Sequence, residues 1–174
     1  MWVAENLQGT DVNILVLPIV AEAGKFSSED LDNLIDLLKE IEGSIKSLGK
    51  QIAIECEFDL ISMSRLLAEL DRHTFGINFD MGNSASLGHN PWDEFEVCKG
   101  RIFNVHIKDR LIRGQTVPLG SGDVQFSVVA EALASQNYSG NMILQAARQF
   151  DRDEVEQICA YIDFCRALGW VDNE

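Results

Sequence analysis

The sequence predicts an α/β protein in which five consecutive β/α units build a parallel sheet covered by helices. Two observations support this prediction. Short apolar runs rich in β-branched and aromatic residues alternate along the chain with longer segments of helical periodicity. These runs stay apolar at successive positions, which is typical of parallel strands buried on both faces. No linker or change of composition interrupts the alternation, so we expect a single domain over residues 1–174.

Each predicted strand is a short apolar segment followed by a loop or a helix. The five segments are residues 13–17 (NILVL), 51–57 (QIAIECE), 76–80 (GINFD), 102–106 (IFNVH) and 141–145 (NMILQ). Pro18 is expected to end the first strand, because proline has no N–H to donate to a neighbouring strand. Residues 1–12 are expected to form the end of a helix and a loop.

The predicted helices are identified by apolar spacing and by capping residues. Ser27 and Asp30 form a capping box that begins a helix through Leu48, and Gly49 ends it. Asn90 is expected to cap a helix with Pro91 at its first position. The other helices are predicted over residues 60–70, 126–136 and 151–168. Their expected inward residues are Ile61, Leu66, Leu67 and Leu70 in the first, and Val155, Ile158, Ile162 and Cys165 in the last.

Composition and charge exclude several classes of function. The formal net charge of −14 argues against unaided binding to nucleic acid or to an anionic membrane. No apolar run is long enough to cross a bilayer, and the N-terminus lacks the layout of a signal peptide. The four cysteines, Cys56, Cys98, Cys159 and Cys165, form no CxxC pair. We expect reduced core thiols in a cytoplasmic protein, rather than disulfides or a zinc site.

Four consecutive predicted strands end in a polar side chain: Glu55, Asp80, His106 and Gln145. In a right-handed parallel β/α array these positions lie at one end of the sheet. Two carboxylates, an imidazole and an amide there are suitable ligands for Mn²⁺, Mg²⁺ or Zn²⁺. The alternative is that strand ends are polar only because they meet solvent. Four in succession, three of them of ligand type, favour a metal site.

Several segments resemble a known family: IAIECE, FGINFDMGNSASLGHNP, RIFNVHIKDR, TVPLGSGDVQF and YSGNMILQAAR. The sequence resembles the sugar phosphate isomerase/epimerase group of xylose-isomerase-like TIM barrels, which includes the ketose 3-epimerases and, more distantly, endonuclease IV-type enzymes. It is most similar to the L-ribulose-5-phosphate 3-epimerase-like or hexulose-6-phosphate isomerase-like subgroup. The resemblance runs from about Leu15 onward, and its most specific parts are FDMGN and VHIKD followed by VPLGSGDV. It implies a partial (β/α)8 barrel whose five units match strands four to eight, with an N-terminal truncation.

The resemblance also implies roles for the strand-end residues. Glu55, Asp80, His106 and Gln145 would bind a divalent metal, Mn²⁺ foremost and otherwise Mg²⁺, Co²⁺ or Zn²⁺. Glu55 and Gln145 stand at the catalytic positions, where two glutamates of the epimerases move a proton through an enediolate. Gln145 departs from that pattern, because an amide can ligate a metal but cannot act as a base. Glu57 or Asp109 could supply the second acid/base.

Four residues are expected to bind the substrate: Asn83, which stands where relatives often have histidine, Asp109, Arg110 and Arg148. Lys108 and Arg113 are interpreted as solvated loop charges, and Gly120–Gly122 as a tight loop rather than a phosphate cradle. We expect His73 and His89 at the surface. Trp92 and Trp170 are expected in packing contacts, and Trp2 over apolar surface that missing strands would leave uncovered.

The predicted function is therefore a divalent-metal-dependent ketose phosphate isomerase or epimerase acting through an enediolate. Its partners would be a small-molecule sugar or sugar phosphate and further copies of the chain, paired through exposed sheet edges. One alternative is an inactive or truncated barrel remnant with a sugar-binding or structural role. A further alternative is an endonuclease IV-like metal hydrolase, which the acidic charge and the lack of a His-rich cluster disfavour.

Overall fold

Strands and helices alternate along the chain as the apolar pattern predicts. The computed structural model describes residues 1–19, 26–149 and 153–171. Within these residues the helices are α1 (Trp2–Asn6), α2 (Ser28–Ser47), α3 (Leu60–Glu69), α4 (Met81–Leu87), α5 (Pro91–Val97), α6 (Phe126–Ser135) and α7 (Glu154–Ala167). The strands are β1 (Ile14–Ile19), β2 (Gln51–Cys56), β3 (Phe75–Asp80), β4 (Ile102–Ile107), β5 (Asp109–Arg110), β6 (Thr116–Val117) and β7 (Asn141–Leu144).

Five of the strands form one parallel sheet in the order β1-β2-β3-β4-β7, the sheet of a half-barrel. Ile14 of β1 pairs with Gln51 of β2, and the register continues to Ile19 and Cys56. Strand β2 pairs in parallel with β3 from Ile52↔Phe75 onward. Strands β5 and β6 form a separate antiparallel ribbon. The predicted α/β class with a partial TIM barrel is therefore confirmed.

The chain divides into two compact units, each with its own apolar core. The first unit comprises Met1–Phe79 and Glu96–Asn104, and Leu38, Ile54 and Leu66 are among its fully buried side chains. The second comprises Asp80–Phe95 and Val105–Glu174, with Phe95 and Val105 in its core. None of the helices in the described residues is long and apolar enough to cross a membrane.

The ends of the helices in the first unit follow the predicted capping chemistry. The Ser27 hydroxyl accepts the Asp30 N–H, and the Asp30 carboxylate accepts the Ser27 N–H, so the capping box is present. The chain leaves α2 at Gly49, whose φ of +64° suits a residue without a side chain. The buried Arg101 guanidinium donates to the carbonyls of Leu67, Leu70 and Phe75, which anchors β3 to the end of α3.

Three predictions for the first unit are corrected. Pro18 does not end β1 but lies within it, because β1 is an edge strand and proline is tolerated there. Ile61 is 83% exposed, and Met63 takes an inward position of α3 instead. Trp2 was expected in a packing contact over apolar surface, but it is 74% exposed.

In the second unit, helix α4 was not predicted and the buried face of α7 differs from the predicted one. MGNSASL is helical from Met81 to Leu87 because Asp80 caps it and Gly88 ends it in the left-handed conformation. Along α7, Val155 and Ile158 are exposed. Gln157 and Tyr161 are buried instead, because both hydrogen-bond to the Ala147 carbonyl. The predicted start of this helix at Asp151 lies outside the described residues.

All four cysteines are free thiols, as predicted. Cys98 and Cys165 are buried and Cys56 is partly buried, but Cys159 is exposed and is not a core residue. The indole of Trp170 packs against Phe126 with ring centroids 6.3 Å apart, whereas Trp92 is 42% exposed.

Candidate metal centre

Asp80 lies at the junction between β3 and α4, and its two carboxylate oxygens contact different groups. Oδ1 accepts the backbone N–H of Asn83 at 2.8 Å, which makes Asp80 the N-cap of α4. Oδ2 faces the His106 imidazole, with Nδ1 at 3.8 Å, and the Lys108 ammonium, with Nζ at 3.3 Å. The Asp80 side chain is 2% exposed, so this second oxygen looks into a protein environment rather than bulk water.

The spacing of Asp80 and His106 suits two ligands of one cation. A separation of 3.8 Å between Oδ2 and Nδ1 is too long for a hydrogen bond. It is shorter than ~4.2 Å, the largest separation that two oxygen or nitrogen ligands of the same Zn²⁺ can have. A carboxylate and an imidazole are also the commonest oxygen and nitrogen ligands of divalent metals. The donor types and their spacing therefore fit a metal.

The electrostatics of the site keep Asp80 in its charged form. Burial alone would raise the pKa of this carboxyl group. The His106 imidazole, the hydrogen bond from the Asn83 N–H and the nearby Lys108 charge together outweigh burial and lower the pKa of Asp80 below its usual value. Asp80 is therefore ionised at neutral pH, which is the protonation state that a metal ligand requires.

Two cationic side chains contact Asn83, and one of them, Lys108, also contacts Asp80 and contradicts the sequence interpretation. Lys108 is not a solvated loop charge: its side chain is 17% exposed, and Nζ contacts Asp80 and, at 3.5 Å, Oδ1 of Asn83. Arg110 donates through Nη1 to the same Asn83 oxygen at 2.8 Å. The stems pack over Gly82, where a Cβ would lie 2.8 Å from Lys108 Cγ and 3.1 Å from Arg110 Cγ. Asn83 thus contacts Asp80 through its backbone N–H and both cationic side chains through its amide oxygen.

Glu55 lies in the first unit, near the end of β2, at the end of a row of amides. Its Oε2 accepts the Asn78 Nδ2–H at 2.9 Å. The Asn78 Oδ1 in turn accepts the Asn104 Nδ2–H at 2.6 Å. Glu55, Asn78 and Asn104 belong to β2, β3 and β4, so the row crosses three neighbouring strands. We call these residues the amide ladder.

Asp109 has a structural role instead of the predicted catalytic or substrate-binding one. Its carboxylate is fully buried and accepts the backbone N–H groups of Gly120, Gly122 and Val124 at 2.8–3.2 Å. Gly122 is required there, because a Cβ would lie 2.3 Å from Oδ1 of Asp109. The three donors also show that Gly120–Gly122 forms a tight loop and not a phosphate cradle, as predicted.

Gln145 and Arg148 follow β7 and are both exposed. The Gln145 backbone N–H donates to the Ile107 carbonyl at 2.9 Å, which continues the pairing of β7 with β4. Arg148 forms an ion pair with Glu154, and both side chains are more than half exposed. Glu57 and Arg113 are exposed as well.

A second buried polar group, formed by Ser84, His89 and Glu94, was not anticipated. The Ser84 hydroxyl donates to the Glu94 carboxylate, and Nδ1 of His89 lies 3.5 Å from the same carboxylate oxygen. His89 is therefore not a surface residue: its side chain is only 12% exposed, whereas His73 is exposed as predicted. No sequence signal marked this group, because α4 itself was missed.

Comparisons with known proteins agree with this architecture. Residues 3–168 match the sequence model of the family described as xylose isomerase-like TIM barrel. No curated protein sequence matches the chain. A xylose isomerase domain protein from Planctomyces limnophilus superposes with a TM-score of 0.77 at 19% identity, over 95% of this chain and 61% of that one.

Two further solved structures have a similar fold. The IOLI protein with a binding zinc atom gives a TM-score of 0.82 at 18% identity, over 99% of this chain and 69% of that one. D-allulose 3-epimerase from Methylomonas sp. in complex with D-allulose gives 0.69 at 17% identity, over 91% of this chain and 58% of that one. The chain thus spans 58–69% of the length of these proteins, and at such identities the likeness shows the fold alone.

Proposed function

Because the chain belongs to the xylose isomerase-like TIM barrel family, we propose that it acts as a divalent-metal-dependent sugar isomerase or epimerase. One observation carries the proposal: the ionised, buried Asp80 faces His106 across a gap that suits a shared cation. Zinc in the IOLI protein and D-allulose in the Methylomonas epimerase support the choice of metal and sugar chemistry.

We propose Glu55, Asp80 and His106 as the metal ligands, because these three ligand-type residues end consecutive strands of the sequence. Asp80 follows Asn78 by two residues along β3, and His106 follows Asn104 by two residues along β4. Alternate residues of a strand share a face, so Asp80 lies on the same face of its strand as Asn78, and His106 on the same face of its strand as Asn104. Gln145 is proposed as a fourth ligand through its amide oxygen. Mn²⁺ is the metal we propose, with Zn²⁺ as its competitor.

In this proposal the metal supplies Lewis acidity that polarises the ketose carbonyl. Glu55 accepts the proton from the carbon beside the carbonyl, and the electron pair of that C–H bond enters the enediolate. A second group returns a proton to the opposite face. Asp109 is excluded from that role because its carboxylate is fully buried and engaged by three backbone N–H groups, so we retain Glu57 as the candidate.

Asn83, Lys108 and Arg110 are the proposed substrate-positioning groups. Lys108 and Arg110 bring two positive charges to the Asn83 amide oxygen in a protein whose net charge is −14. Such a pair favours an anionic substrate, and a ketose phosphate meets this requirement. We keep Arg148 as a weaker candidate, because its partner Glu154 neutralises it in the structure.

The function is tested by solvent deuterium exchange into ketoses and their phosphates in the presence of Mn²⁺ or Zn²⁺. We expect deuterium at the carbon beside the carbonyl, followed by epimer or isomer formation. Replacing His106 by alanine should abolish exchange, and the same change at the exposed His73 is the matched control. A wild-type protein that binds metal but exchanges no proton in any tested ketose would favour the inactive sugar-binding remnant instead.

Gln145 offers a separate test of the second acid/base. If the missing carboxylate limits proton transfer, Gln145→Glu should increase deuterium exchange. If Glu57 serves, the same change should leave the rate unchanged or lower it, because it adds a negative charge at the site, and Glu57→Gln should lower the rate.

We also propose that copies of the chain associate through their sheet edges. Among the residues that the structure describes, β1 and β7 each have one neighbour in the strand order, and both expose apolar side chains, Val16 at 37% and Ile143 at 46%. Unpaired strand edges invite pairing with another chain. Light scattering after size exclusion should show a dimer or larger species, and Ile143→Lys should reduce it. A monomer at all concentrations would contradict this proposal.

A further inference from the structure

The amide ladder points to a role for two residues that the proposed mechanism does not use. We infer that Asn104 and Asn78 form a one-directional hydrogen-bond relay that fixes the orientation of the Glu55 carboxylate for metal binding. Neither asparagine is assigned as a ligand, so both are positioning residues. The inference rests on the proposed function only in taking Glu55 as a metal ligand.

The geometry of the ladder is that of a built structure and not of a surface contact. Asn78 is 2% exposed and Asn104 is 4% exposed. The Asn78–Glu55 bond of 2.9 Å lies within the normal range for N–H···O hydrogen bonds, and the Asn104–Asn78 bond of 2.6 Å is slightly shorter than that range. Because strands β2 to β4 hold the backbones of the three residues, little freedom remains for their side chains.

The chemistry of the three groups permits only one direction of donation. An ionised carboxylate can only accept hydrogen bonds, so Asn78 must turn its NH₂ toward Glu55. Its carbonyl oxygen then points to the neighbouring strand, where it needs a donor. Asn104 supplies that donor through its own NH₂. The orientation of each amide group is thus fixed by its neighbour in the ladder. Hydrogen bonds in such a series polarise and strengthen one another.

The relay therefore acts on metal binding through Glu55 alone. One carboxylate oxygen is held by Asn78, which sets the plane in which the group can approach a cation. Outer partners of metal-binding carboxylates typically change metal affinity by about 10–100-fold. The simpler interpretation is that the ladder only ties three strands together. If so, replacing either asparagine should lower the stability of the fold. Any change in metal affinity should then not depend on which position of the ladder is replaced.

A double-mutant cycle separates the two interpretations. Mn²⁺ affinity is measured by titration calorimetry for wild type, Asn78→Leu, Asn104→Leu and the double variant. We expect each single change to weaken binding by about 10–100-fold. Because Asn104 acts only through Asn78, the double variant should bind no more weakly than Asn78→Leu alone. Wild-type affinity in Asn104→Leu, or full additivity of the two losses, would overturn the relay.

Gln157→Leu is the matched control, because it also removes a buried amide but belongs to another element, α7. Its Mn²⁺ affinity should equal that of the wild type, and a comparable loss there would identify the effect as general destabilisation.

A second measurement needs neither metal nor a stable variant. In the metal-free wild type, one NH₂ proton of Asn78 should show a downfield NMR shift and slow exchange with water, as expected for a bond to a carboxylate. Exchange of both protons at the rate of a free amide would overturn the relay. If the wild type binds no Mn²⁺ or Zn²⁺, the proposed function fails, whereas this NMR result still decides whether the relay exists.

Discussion

Two buried aspartates of the second unit, Asp80 and Asp109, look equivalent in the sequence and differ completely in the structure. Both end or follow an apolar strand, and both side chains are almost inaccessible to solvent. Asp109 is saturated by three backbone N–H groups. Asp80 accepts one backbone N–H and turns its other oxygen toward His106 and Lys108. A carboxylate that accepts several backbone N–H groups stabilises the loop that donates them. A carboxylate oxygen that faces ionisable side chains can instead bind a ligand.

The largest effect is expected at the backbone-saturated aspartate. Asp109→Ala leaves three buried N–H groups without their acceptor and should lower the free energy of unfolding by about 3 kcal/mol or more. The matched control is Asp123→Ala, because the Asp123 carboxylate accepts a single backbone N–H, that of Ile112. It should cost only about 1 kcal/mol. Urea denaturation measures the free energy of unfolding of both variants. Equal losses would contradict the idea that the number of backbone N–H donors sets the cost.

At the other aspartate the expected effect is on metal affinity. Asp80→Asn and His106→Ala each remove a proposed ligand and should weaken Mn²⁺ binding by an order of magnitude or more. Titration calorimetry measures the affinity, with His73→Ala as the control. An unchanged affinity in His106→Ala would remove this histidine from the site.

A smaller effect of opposite sign is expected at Lys108. Its ammonium group lies 3.3 Å from Asp80 and competes with a cation for the same oxygen. Lys108→Met should therefore raise Mn²⁺ affinity on the order of fivefold, equivalent to about 1 kcal/mol of relieved repulsion. The same change at the exposed Lys99 should have no effect. Weaker binding in Lys108→Met would mean that the lysine supports the site rather than competing for it.

The smallest effect concerns another aspartate, Asp71, which is partly exposed and extends the comparison to the surface. The hydrogen bond from the Thr74 hydroxyl, aided by Lys46 and opposed by burial, lowers the pKa of Asp71 from 3.8 to about 2. A lowered pKa in the folded state stabilises the protein above the unfolded-state pKa. The stability difference between wild type and Asp71→Asn should therefore be constant above pH 4 and shrink as the pH falls toward 2. Urea denaturation at several pH values measures it, and a difference independent of pH would contradict this assignment.

The fold was largely predictable because strands and helices depend on short-range pattern. The capping box at Ser27 and the apolar strands needed no knowledge of the rest of the chain. Helix α4 was missed, since its glycine, asparagine and serines have weak propensity and its start depends on the Asp80 side chain. The face of α7 was misjudged because Gln157 and Tyr161 are buried by hydrogen bonds to Ala147, which apolar spacing does not report.

The site was predictable only in part. Strand-end position selected Asp80 and His106, whose Oδ2 and Nδ1 atoms lie 3.8 Å apart in the structure. It could not distinguish Asp109, whose role depends on a loop eleven to fifteen residues further along the chain. The asparagines of the amide ladder are two residues before Asp80 and His106, so strand alternation alone would have placed them on the same face. Their mutual hydrogen bonds, however, depend on strand register, which the sequence does not report.

Through its two carboxylate oxygens, Asp80 couples binding of a cation at the proposed site to the stability of helix α4. Oδ1 starts α4 through the Asn83 N–H, and Oδ2 faces His106. A cation that holds Oδ2 also restricts rotation of the carboxylate, which keeps Oδ1 on the helix. By thermodynamic reciprocity, any change that loosens the first turn of α4 then weakens cation binding by the same factor. The rate of amide hydrogen exchange along this seven-residue helix would therefore report the fraction of the proposed site that is occupied by a cation.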